Sequence, residues 1–358
     1  MSNLELTERE RAIYDLLHDE KSKHVFMKRC EYERNGHIKE IFYELMEFPE
    51  GYVNLISRLS TTKYALYGAG GACNMLILRL KSANVLANCV GIFDYKAVTG
   101  EKSIQNVPVI PPREDLLADE RLYIVMAISE KNNASVFQSA IDYLYNAGVN
   151  SERIIRPYYD VFGCDKVYFD EKIIISQLCG EEVFIDGGSY DFYDSKRFIQ
   201  HCESVGAIPK KIFAFEPDPK NFAKVKENAK QFGDTVVAYN AGLWSSDISL
   251  HFKSERIGTS SAIDENGETE IIGISFDNLA VQDKVSFVKM DIEGAEIEAL
   301  KGMEGTLKRN RPKLAISIYH KSEDYLDIPE YLHSIIPDYK FYIRFYSWGG
   351  SDMVLYCV

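Results

Sequence analysis

The chain has 358 residues, of which 46% are hydrophobic and 27% charged, a balance typical of a folded protein with about two domains. The net charge of -13 argues against a broad basic surface for nucleic acid or an anionic membrane. The start lacks an apolar signal segment, and no run approaches the roughly 20 apolar residues that cross a bilayer. With seven cysteines and no C-x-x-C pair, the sequence predicts a cytoplasmic protein without disulfides or a membrane span.

The first part of the chain, residues 1–60, predicts a helical lead-in, because apolar positions such as Ile13, Leu16 and Leu17 have helical spacing. Residues 61–160 change to apolar strands that alternate with helical stretches. The strands are KYALY, NCVGIF, RLYIVMAI and RIIRP, with the helix SVFQSAIDYLYNAGV before the last of them. This order predicts a Rossmann-like accessory domain.

A glycine-rich turn, YGAGGACN, follows the first strand of that domain. Gly68, Gly70 and Cys73 nearly reproduce the G-x-G-x-x-G of a nucleotide loop, and Asp94 ends the next strand, where an acidic residue meets a ribose. Two interpretations stay open. In the first, Gly68, Gly70 and Asp94 bind a nucleotide-linked ligand. In the second, the turn only joins a strand tightly to a helix.

Residues 161–358 predict a second doubly wound sheet of seven strands. The strands are VFID, KIFAFE, VVAYN, VSFVKMD, KLAISIYH, FYIRFYSW and DMVLYCV, and the last is expected to be antiparallel to its neighbours. NFAKVKENAKQF and AEIEALKGMEGTL each have an apolar face typical of a helix. Short β-like pieces in 249–279 indicate an inserted hairpin or a lid. The fold class is therefore α/β, with two Rossmann-like domains and an N-terminal helical segment.

Polar residues end successive strands of the second domain. They are Asp186, Glu216, Asn240, Asp291 and His320. The carboxyl ends of parallel strands share one edge of a sheet, where ligands of this fold bind. Gly187 and Gly188 let the backbone approach a ligand closely, and a strand-end carboxylate such as Glu216 can accept ribose hydroxyls. Asp218 is instead expected to cap the next helix.

The stretches VFIDGGS, FAFEPDP, YNAGLW, FVKMDIEGAEIEALKG and RPKLAISIYHKSEDYLDIPEYL resemble the FkbM family of methyltransferases over residues 180–358. The resemblance implies the class I fold, with a seven-stranded sheet, and S-adenosylmethionine as cofactor. It also implies that Asp291 and Glu293 face the reacting centre, and with His320 these are the predicted catalytic residues. The cofactor residues it implies are Asp186, Gly187, Gly188, Ser189, Tyr190, Glu216, Pro217, Asn240, Ala241 and Asp291. The stretch SYDFYDS departs from the family, because Phe192 lies near a place that glycine usually takes.

Methyl transfer to a hydroxyl needs an acceptor for the hydroxyl proton. His320 is the first choice because imidazole titrates near neutral pH, and Asp291 is the second, as the base or as the group that orients His320. A divalent cation is not predicted, since hard cations need several converging oxygens and only Asp291 and Glu293 are available.

The leading hypothesis is a methyltransferase acting on a hydroxyl of a small molecule or sugar, plausible in glycan or polysaccharide biosynthesis. Residues 61–157 resemble the domain that precedes some bacterial sugar acetyltransferases and can hold a nucleotide sugar. Two alternatives remain. One is an NAD-dependent oxidoreductase that uses Gly68, Gly70 and Asp94. The other is a non-catalytic nucleotide-sugar-binding protein with a degenerate methyltransferase fold, which the presence of Phe192 supports. No nucleic-acid partner is expected, and a homo-oligomer is compatible with the sequence.

Overall fold

The structure is a computed structural model that describes residues 5–37, 41, 45, 50–94, 103–128, 134–156, 167–254, 261–263, 269–346 and 353–358. The chain forms two compact units, one of Met1–Leu45 with Asp165–Val358 and the other of Met46–Cys164. The expected helical lead-in is therefore divided. Its helices α1 (Glu8–Leu16) and α2 (Glu20–Arg34) belong to the larger unit, and α3 (Glu50–Thr61) belongs to the smaller one.

The smaller unit is a six-stranded sheet with helices between its strands. After α3 its elements are β1 (Tyr64–Tyr67), α4 (Gly71–Ser82), β2 (Cys89–Phe93), β3 (Ser103–Ile104), β4 (Val107–Ile110), α5 (Glu114–Leu117), β5 (Tyr123–Met126), α6 (Ala134–Asn146) and β6 (Ile154–Ile155). The strand order is β3-β4-β2-β1-β5-β6, and every pair is parallel except β3 with β4. The strands that the sequence predicted here are all present, and β3 and β4 are additional.

The larger unit continues with a second α/β series. Its elements are β7 (Glu181–Gly187), α7 (Tyr193–Val205), β8 (Ile208–Phe215), α8 (Pro219–Ala229), β9 (Val236–Tyr239), β10 (Gly242–Leu243), β11 (Ile248–Ser254), β12 (Ser261–Ile263), β13 (Thr269–Ile274), β14 (Phe287–Met290), α9 (Glu296–Lys301), α10 (Glu304–Asn310), β15 (Lys313–Ser317), α11 (Asp324–Ile335), β16 (Phe341–Phe345) and β17 (Met353–Cys357).

Seven of these strands form one sheet in the order β16-β17-β15-β14-β7-β8-β9. The chain runs from β7 outward through β8 to β9, and then returns to β14 on the other side of β7. The order reverses between β7 and β14, and ligands of open α/β sheets bind at such a switch point. Strand β17 is antiparallel to both β15 and β16. The predicted α/β class and the antiparallel last strand are confirmed.

Both faces of this sheet are covered. One face packs in a cluster that includes Phe184, Phe198 and Phe287. The other face buries apolar residues of α1 and α2, among them Ile13 and Phe26. The edge strand β16 is closed by the same helices, since the Ile343 N–H donates to Ser22 Oγ at 3.0 Å.

Two local features refine the sequence prediction. The inserted hairpin is present, because β11 pairs with β13 in an antiparallel register, while residues 255–260 and 264–268 lie outside the described chain. The predicted helix over 295–307 is instead two short helices separated at Gly302 and Met303. A Cβ on Gly302 would lie 1.8 Å from the Trp244 carbonyl oxygen, and the Gly302 carbonyl accepts from Ser275 Oγ at 2.7 Å. This tight packing ends the first helix.

Within the ranges that the structure describes, none of the helices has the length and apolar character needed to span a bilayer.

Candidate active site

The glycine loop after β7 packs directly on the loop after β14. Gly188 has a φ of +73°, and a Cβ at that position would lie 1.9 Å from the Asp291 carbonyl oxygen. A side chain at Gly187 would also be crowded, with Leu243 Cδ1 and the Lys289 carbonyl oxygen at 3.2 Å. The two loops therefore meet backbone to backbone, which only glycine permits.

Asp186 holds this loop from beneath. Its side chain is fully buried, and Oδ2 accepts hydrogen bonds from Ser189 Oγ at 2.9 Å and Ser195 Oγ at 2.6 Å. Oδ1 lies 3.2 Å from Lys289 Nζ. Asp186 and Ser189 were predicted to line the cofactor. In the structure both side chains are buried and bond to each other, so they stabilise the loop.

Lys289 is a buried cation that the sequence analysis did not single out. Its ammonium donates to the carbonyl oxygens of Gly188 at 2.7 Å and Gly187 at 3.1 Å, and lies 3.5 Å from Asp194 Oδ2. Burial alone would lower the pKa of Lys289, but Asp186 and Asp194 raise it above the usual range. The charged lysine thus fixes both glycine carbonyls.

Phe192 lies in the loop after β7, near the place where the resemblance to the FkbM family implies a glycine. Its φ is +73°, in the left-handed region that glycine favours. The ring is fully buried and packs 5.7 Å from Phe232, centroid to centroid. The backbone therefore keeps the conformation that a glycine would adopt, while the ring joins the core.

Glu216 follows β8, the strand that pairs with β7 on the side away from the switch point. Both of its carboxylate oxygens accept backbone N–H groups, from Tyr190 at 2.8 Å and from Asp218 at 2.9 Å. Burial raises the pKa of Glu216 to about 7, although these two donors oppose the rise. Asp218 caps α8 as predicted, accepting the N–H of Lys220 at 2.8 Å.

Tyr190 and Asn240 connect the loops that border Glu216. Tyr190 gives its N–H to Glu216 and leaves its ring 42% exposed. Asn240 Nδ2 donates to the carbonyl oxygens of Glu216 at 2.9 Å and Pro217 at 3.0 Å, and Ala241 beside it is buried. The predicted cofactor residues from β7, β8 and β9 are thus brought to one edge of the sheet.

Asp291, at the end of β14, is surrounded by hydroxyl donors. Oδ2 accepts from Tyr168 at 2.7 Å, and Oδ1 accepts from Tyr319 at 3.1 Å and lies 3.2 Å from His320 Nε2. Burial would raise the pKa of Asp291, but His320 and Lys289 hold it well below the usual range. Asp291 is therefore an anion at neutral pH.

His320 lies between three carboxylates. Nδ1 lies 2.9 Å from Glu296 Oε1, and Nε2 lies 3.2 Å from Asp291 Oδ1 and 3.5 Å from Glu293 Oε2. Burial would lower the pKa of His320, but Asp291 and Glu296 raise it to about 10. The ring is then an imidazolium at neutral pH, which donates protons. The role of His320 as the base stays a prediction, and the raised pKa removes the titration near neutrality on which it was argued.

Glu293 is the most open carboxylate of this cluster, with 31% of its side chain exposed. Its pKa is raised to about 7, chiefly by burial, with His320 opposing and Asp291 and Glu296 adding to the rise. Asp291, Glu296 and His320 also offer metal-ligand atoms within 4.8 Å of one another. A cation on those atoms would compete with the bond between His320 Nδ1 and Glu296 Oε1.

The smaller unit has a cavity of about 420 Å³ at the carboxyl ends of β1, β2 and β5. The glycine-rich turn lines it, and Asp94 Oδ2 accepts the N–H of Ala69 at 2.7 Å. Gly68 has a φ of +104°, and a Cβ there would lie 2.4 Å from Ile128 Cγ1. The structure thus brings Gly68, Gly70 and Asp94 together as the sequence predicted.

Residues 179–341 match the family model described as the methyltransferase FkbM domain. The predicted resemblance is confirmed for that part of the chain, while the resemblance of residues 61–157 to a domain of sugar acetyltransferases stays a prediction.

Two known proteins resemble the chain. The FkbM methyltransferase structure from Methylobacillus flagellatus superposes with a TM-score of 0.50 and 17% identity, over 93% of this chain and 100% of the other, which supports the fold. The hexuronic acid methyltransferase AglP of Haloferax volcanii is 35% identical over 102 residues, 27% of this chain. The match spans only 43% of that relative's length.

Three side chains that contact the predicted site residues were not predicted from the sequence: Lys289, Tyr168 and Glu296. Lys289 lies inside a strand, and Tyr168 precedes the first strand of the domain by more than a dozen residues. Neither has a local signal for its role. Glu296 begins a helix, where a carboxylate is common, yet its Oε1 accepts the Ile292 N–H at 3.1 Å and contacts His320 Nδ1 at 2.9 Å.

Proposed function

We propose that the FkbM domain binds S-adenosylmethionine and that the protein transfers the methyl group to a hydroxyl of a sugar, in glycan or polysaccharide biosynthesis. The observation that carries this proposal is the backbone contact of Gly188 with Asp291 at the switch point, with Glu216 on the neighbouring strand end. It places a glycine loop, a ribose-accepting carboxylate and a cluster of ionisable groups at one edge of one sheet.

The cofactor residues follow from this geometry. Gly187 and Gly188 expose backbone next to the sulfonium end, and Glu216 accepts the ribose hydroxyls through lone pairs that the two backbone donors leave open. Ala241 and the ring of Tyr190 border the adenine. Asp291, Glu293 and His320 face the methyl acceptor.

The sugar acceptor is supported by the likeness to a hexuronic acid methyltransferase. A uronic acid presents hydroxyls and a carboxylate, so transfer yields a methyl ether or a methyl ester. The two products separate under mild alkali, because an ester hydrolyses and an ether does not. We propose the ether, since an acidic cluster of Asp291, Glu293 and Glu296 disfavours a second carboxylate.

In this proposal the smaller unit binds the nucleotide part of the acceptor. Its cavity joins the glycine turn to Asp94, which suits the phosphate and ribose of a nucleotide-linked acceptor. The competing interpretation, an NAD-dependent oxidoreductase, uses the same cavity and leaves the Asp291 cluster without a task.

Calorimetry of the full chain against S-adenosylhomocysteine and NAD tests the proposal. We expect micromolar binding of S-adenosylhomocysteine that Glu216→Ala weakens at least tenfold. Glu227→Ala on the adjacent helix is the matched control, because its side chain is 70% exposed and pairs only with Lys230 on the surface. Binding of NAD without S-adenosylhomocysteine would refute the proposed function, and binding of both without methyl transfer would favour a non-catalytic protein.

A further inference from the structure

The cluster at the end of β14 holds three carboxylates, and two of them are already committed to other groups. Both oxygens of Asp291 accept phenol hydrogen bonds, from Tyr168 and Tyr319. Glu296 has a side chain only 1% exposed, and its Oε1 takes His320 Nδ1 at 2.9 Å and the Ile292 N–H at 3.1 Å. Hydrogen bonds to an ionised carboxylate make it a weaker base, so Asp291, although 28% exposed, and the buried Glu296 are poor proton acceptors.

Glu293 differs from these two in its surroundings. Its side chain is 31% exposed, and its Oε2 lies 3.5 Å from His320 Nε2. Within the described ranges, no hydrogen bond to the Glu293 carboxylate is present. Of the three carboxylates, Glu293 is the partly exposed one whose oxygens accept no hydrogen bond from the described residues.

The backbone is also arranged around Glu293. Its φ of +56° lies in the left-handed region, which residues other than glycine rarely adopt, and the next residue, Gly294, has a φ of +92°. Residues held in such conformations cluster at functional sites, where the surrounding structure fixes them. Here the turn presents the Glu293 carboxylate on the open side of His320.

We propose that Glu293 is the proton acceptor of the methyl transfer, and that Glu296 is a positioning residue that acts through His320. The inference rests on the proposed function. The acceptor oxygen forms a bond to the methyl carbon, and the carbon–sulfur bond breaks with its electron pair going to sulfur, which becomes a neutral thioether. The acceptor O–H bond breaks, its proton passes to Glu293, and from there it reaches solvent.

In this arrangement His320 keeps its proton throughout. Its Nδ1–H is held by Glu296, so its Nε2–H points between Asp291 and Glu293 and stabilises their negative charge. A pKa of about 7 for Glu293 suits a base that works near neutral pH. The charged and titratable groups that face His320 come from several elements: Asp291, Glu293, Glu296, Asp324, Lys289 and Tyr319.

The test compares full-length variants with S-adenosylmethionine and para-nitrophenyl glucuronide as the probe acceptor. We expect Glu293→Gln to lower kcat by about 10²–10⁴-fold and to remove the rise of the wild-type rate through about pH 7, with S-adenosylhomocysteine affinity unchanged. Glu296→Gln should lower kcat by about 10–100-fold with little effect on KM, and Glu296→Asp should restore part of it. Glu298→Gln is the matched control on the same helix, since Glu298 pairs with Lys301 and is not among the carboxylates paired with His320.

A wild-type pH profile in Glu293→Gln would overturn the inference, as would loss of the limb near pH 7 only in His320→Asn. Activity that a chelator abolishes and Mg²⁺ restores would assign the cluster to a metal instead. Each result leaves the proposed function standing, which fails instead if the wild type binds no S-adenosylhomocysteine or transfers no methyl group.

Nitrogen-15 NMR of labelled histidine decides the question without turnover, with His320→Asn to assign the signal. A His320 ring that stays protonated at about pH 8, and loses that proton more readily in Glu296→Gln than in Glu298→Gln, supports the inference. A neutral ring at that pH overturns it.

Discussion

Replacing Gly188 by alanine tests whether the two loops at the switch point must touch. An alanine at a φ of +73° costs about 1–2 kcal/mol from the left-handed conformation alone. Its Cβ would lie 1.9 Å from the Asp291 carbonyl oxygen, so the loops must also separate, and such overpacking costs about 1–3 kcal/mol more. We expect the free energy of unfolding to fall by about 2–5 kcal/mol.

Gly206→Ala is the matched control, because it has nearly the same φ, +75°, and no atom lies within 4 Å of its added Cβ. The loss of stability in Gly206→Ala therefore comes from the backbone conformation alone. Urea denaturation measures the difference between the two variants. Calorimetry measures the affinity of each variant for S-adenosylhomocysteine. Separated loops should weaken this affinity at least tenfold in Gly188→Ala, whereas Gly206→Ala should bind as the wild type does. Equal stability and equal affinity in the two variants would refute the loop contact.

Three further predictions concern buried groups of the same domain. Lys289→Met should lower the free energy of unfolding by about 3–5 kcal/mol in urea denaturation, because Asp186 loses its cation, whereas the exposed Lys301→Met should change it by less than about 0.5 kcal/mol. Phe192→Gly should be more stable than Phe192→Ala by about 1 kcal/mol, since both lose the ring but only glycine relieves the left-handed φ; a lower urea midpoint for glycine would contradict this. Ribose hydroxyls favour the ionised form of Glu216, whose pKa is raised to about 7, so S-adenosylhomocysteine affinity should rise with pH up to about 7 and then level off. In Glu216→Gln, the affinity for S-adenosylhomocysteine measured by calorimetry should not rise with pH in this range.

The fold was accessible from the sequence because its signals are local. Apolar runs ending in Asp186, Glu216 and Asp291 define the strands, and the rule that ligands bind at their carboxyl ends needs no long-range information. The break at Gly302 was not accessible in this way. It depends on the carbonyl of Trp244, which is far away along the chain, so the pattern of 295–307 still predicts one continuous helix.

The roles inside the site depend on the same kind of distant contact. His320 and Asp291 lie at one edge of the sheet, but the pKa of the imidazole is raised by Asp291 together with Glu296, whose carboxylate reaches Nδ1 from a helix. An isolated histidine titrates near neutral pH and is a natural base. Between carboxylates it becomes a cation, and that change of role requires knowing which side chains surround it.

Phe192 shows how a loop can hold a bulky residue in a backbone conformation that glycine favours. The resemblance to the FkbM family implies a glycine near this position, and the phenylalanine was the support for a non-catalytic protein. The structure gives Phe192 a φ of +73° and directs its ring into the core against Phe232. Burial of an aromatic ring contributes more than the left-handed conformation costs, so the phenylalanine is compatible with a folded loop. Phe192 is therefore an argument about stability, and the evidence on catalysis lies in the cluster around His320.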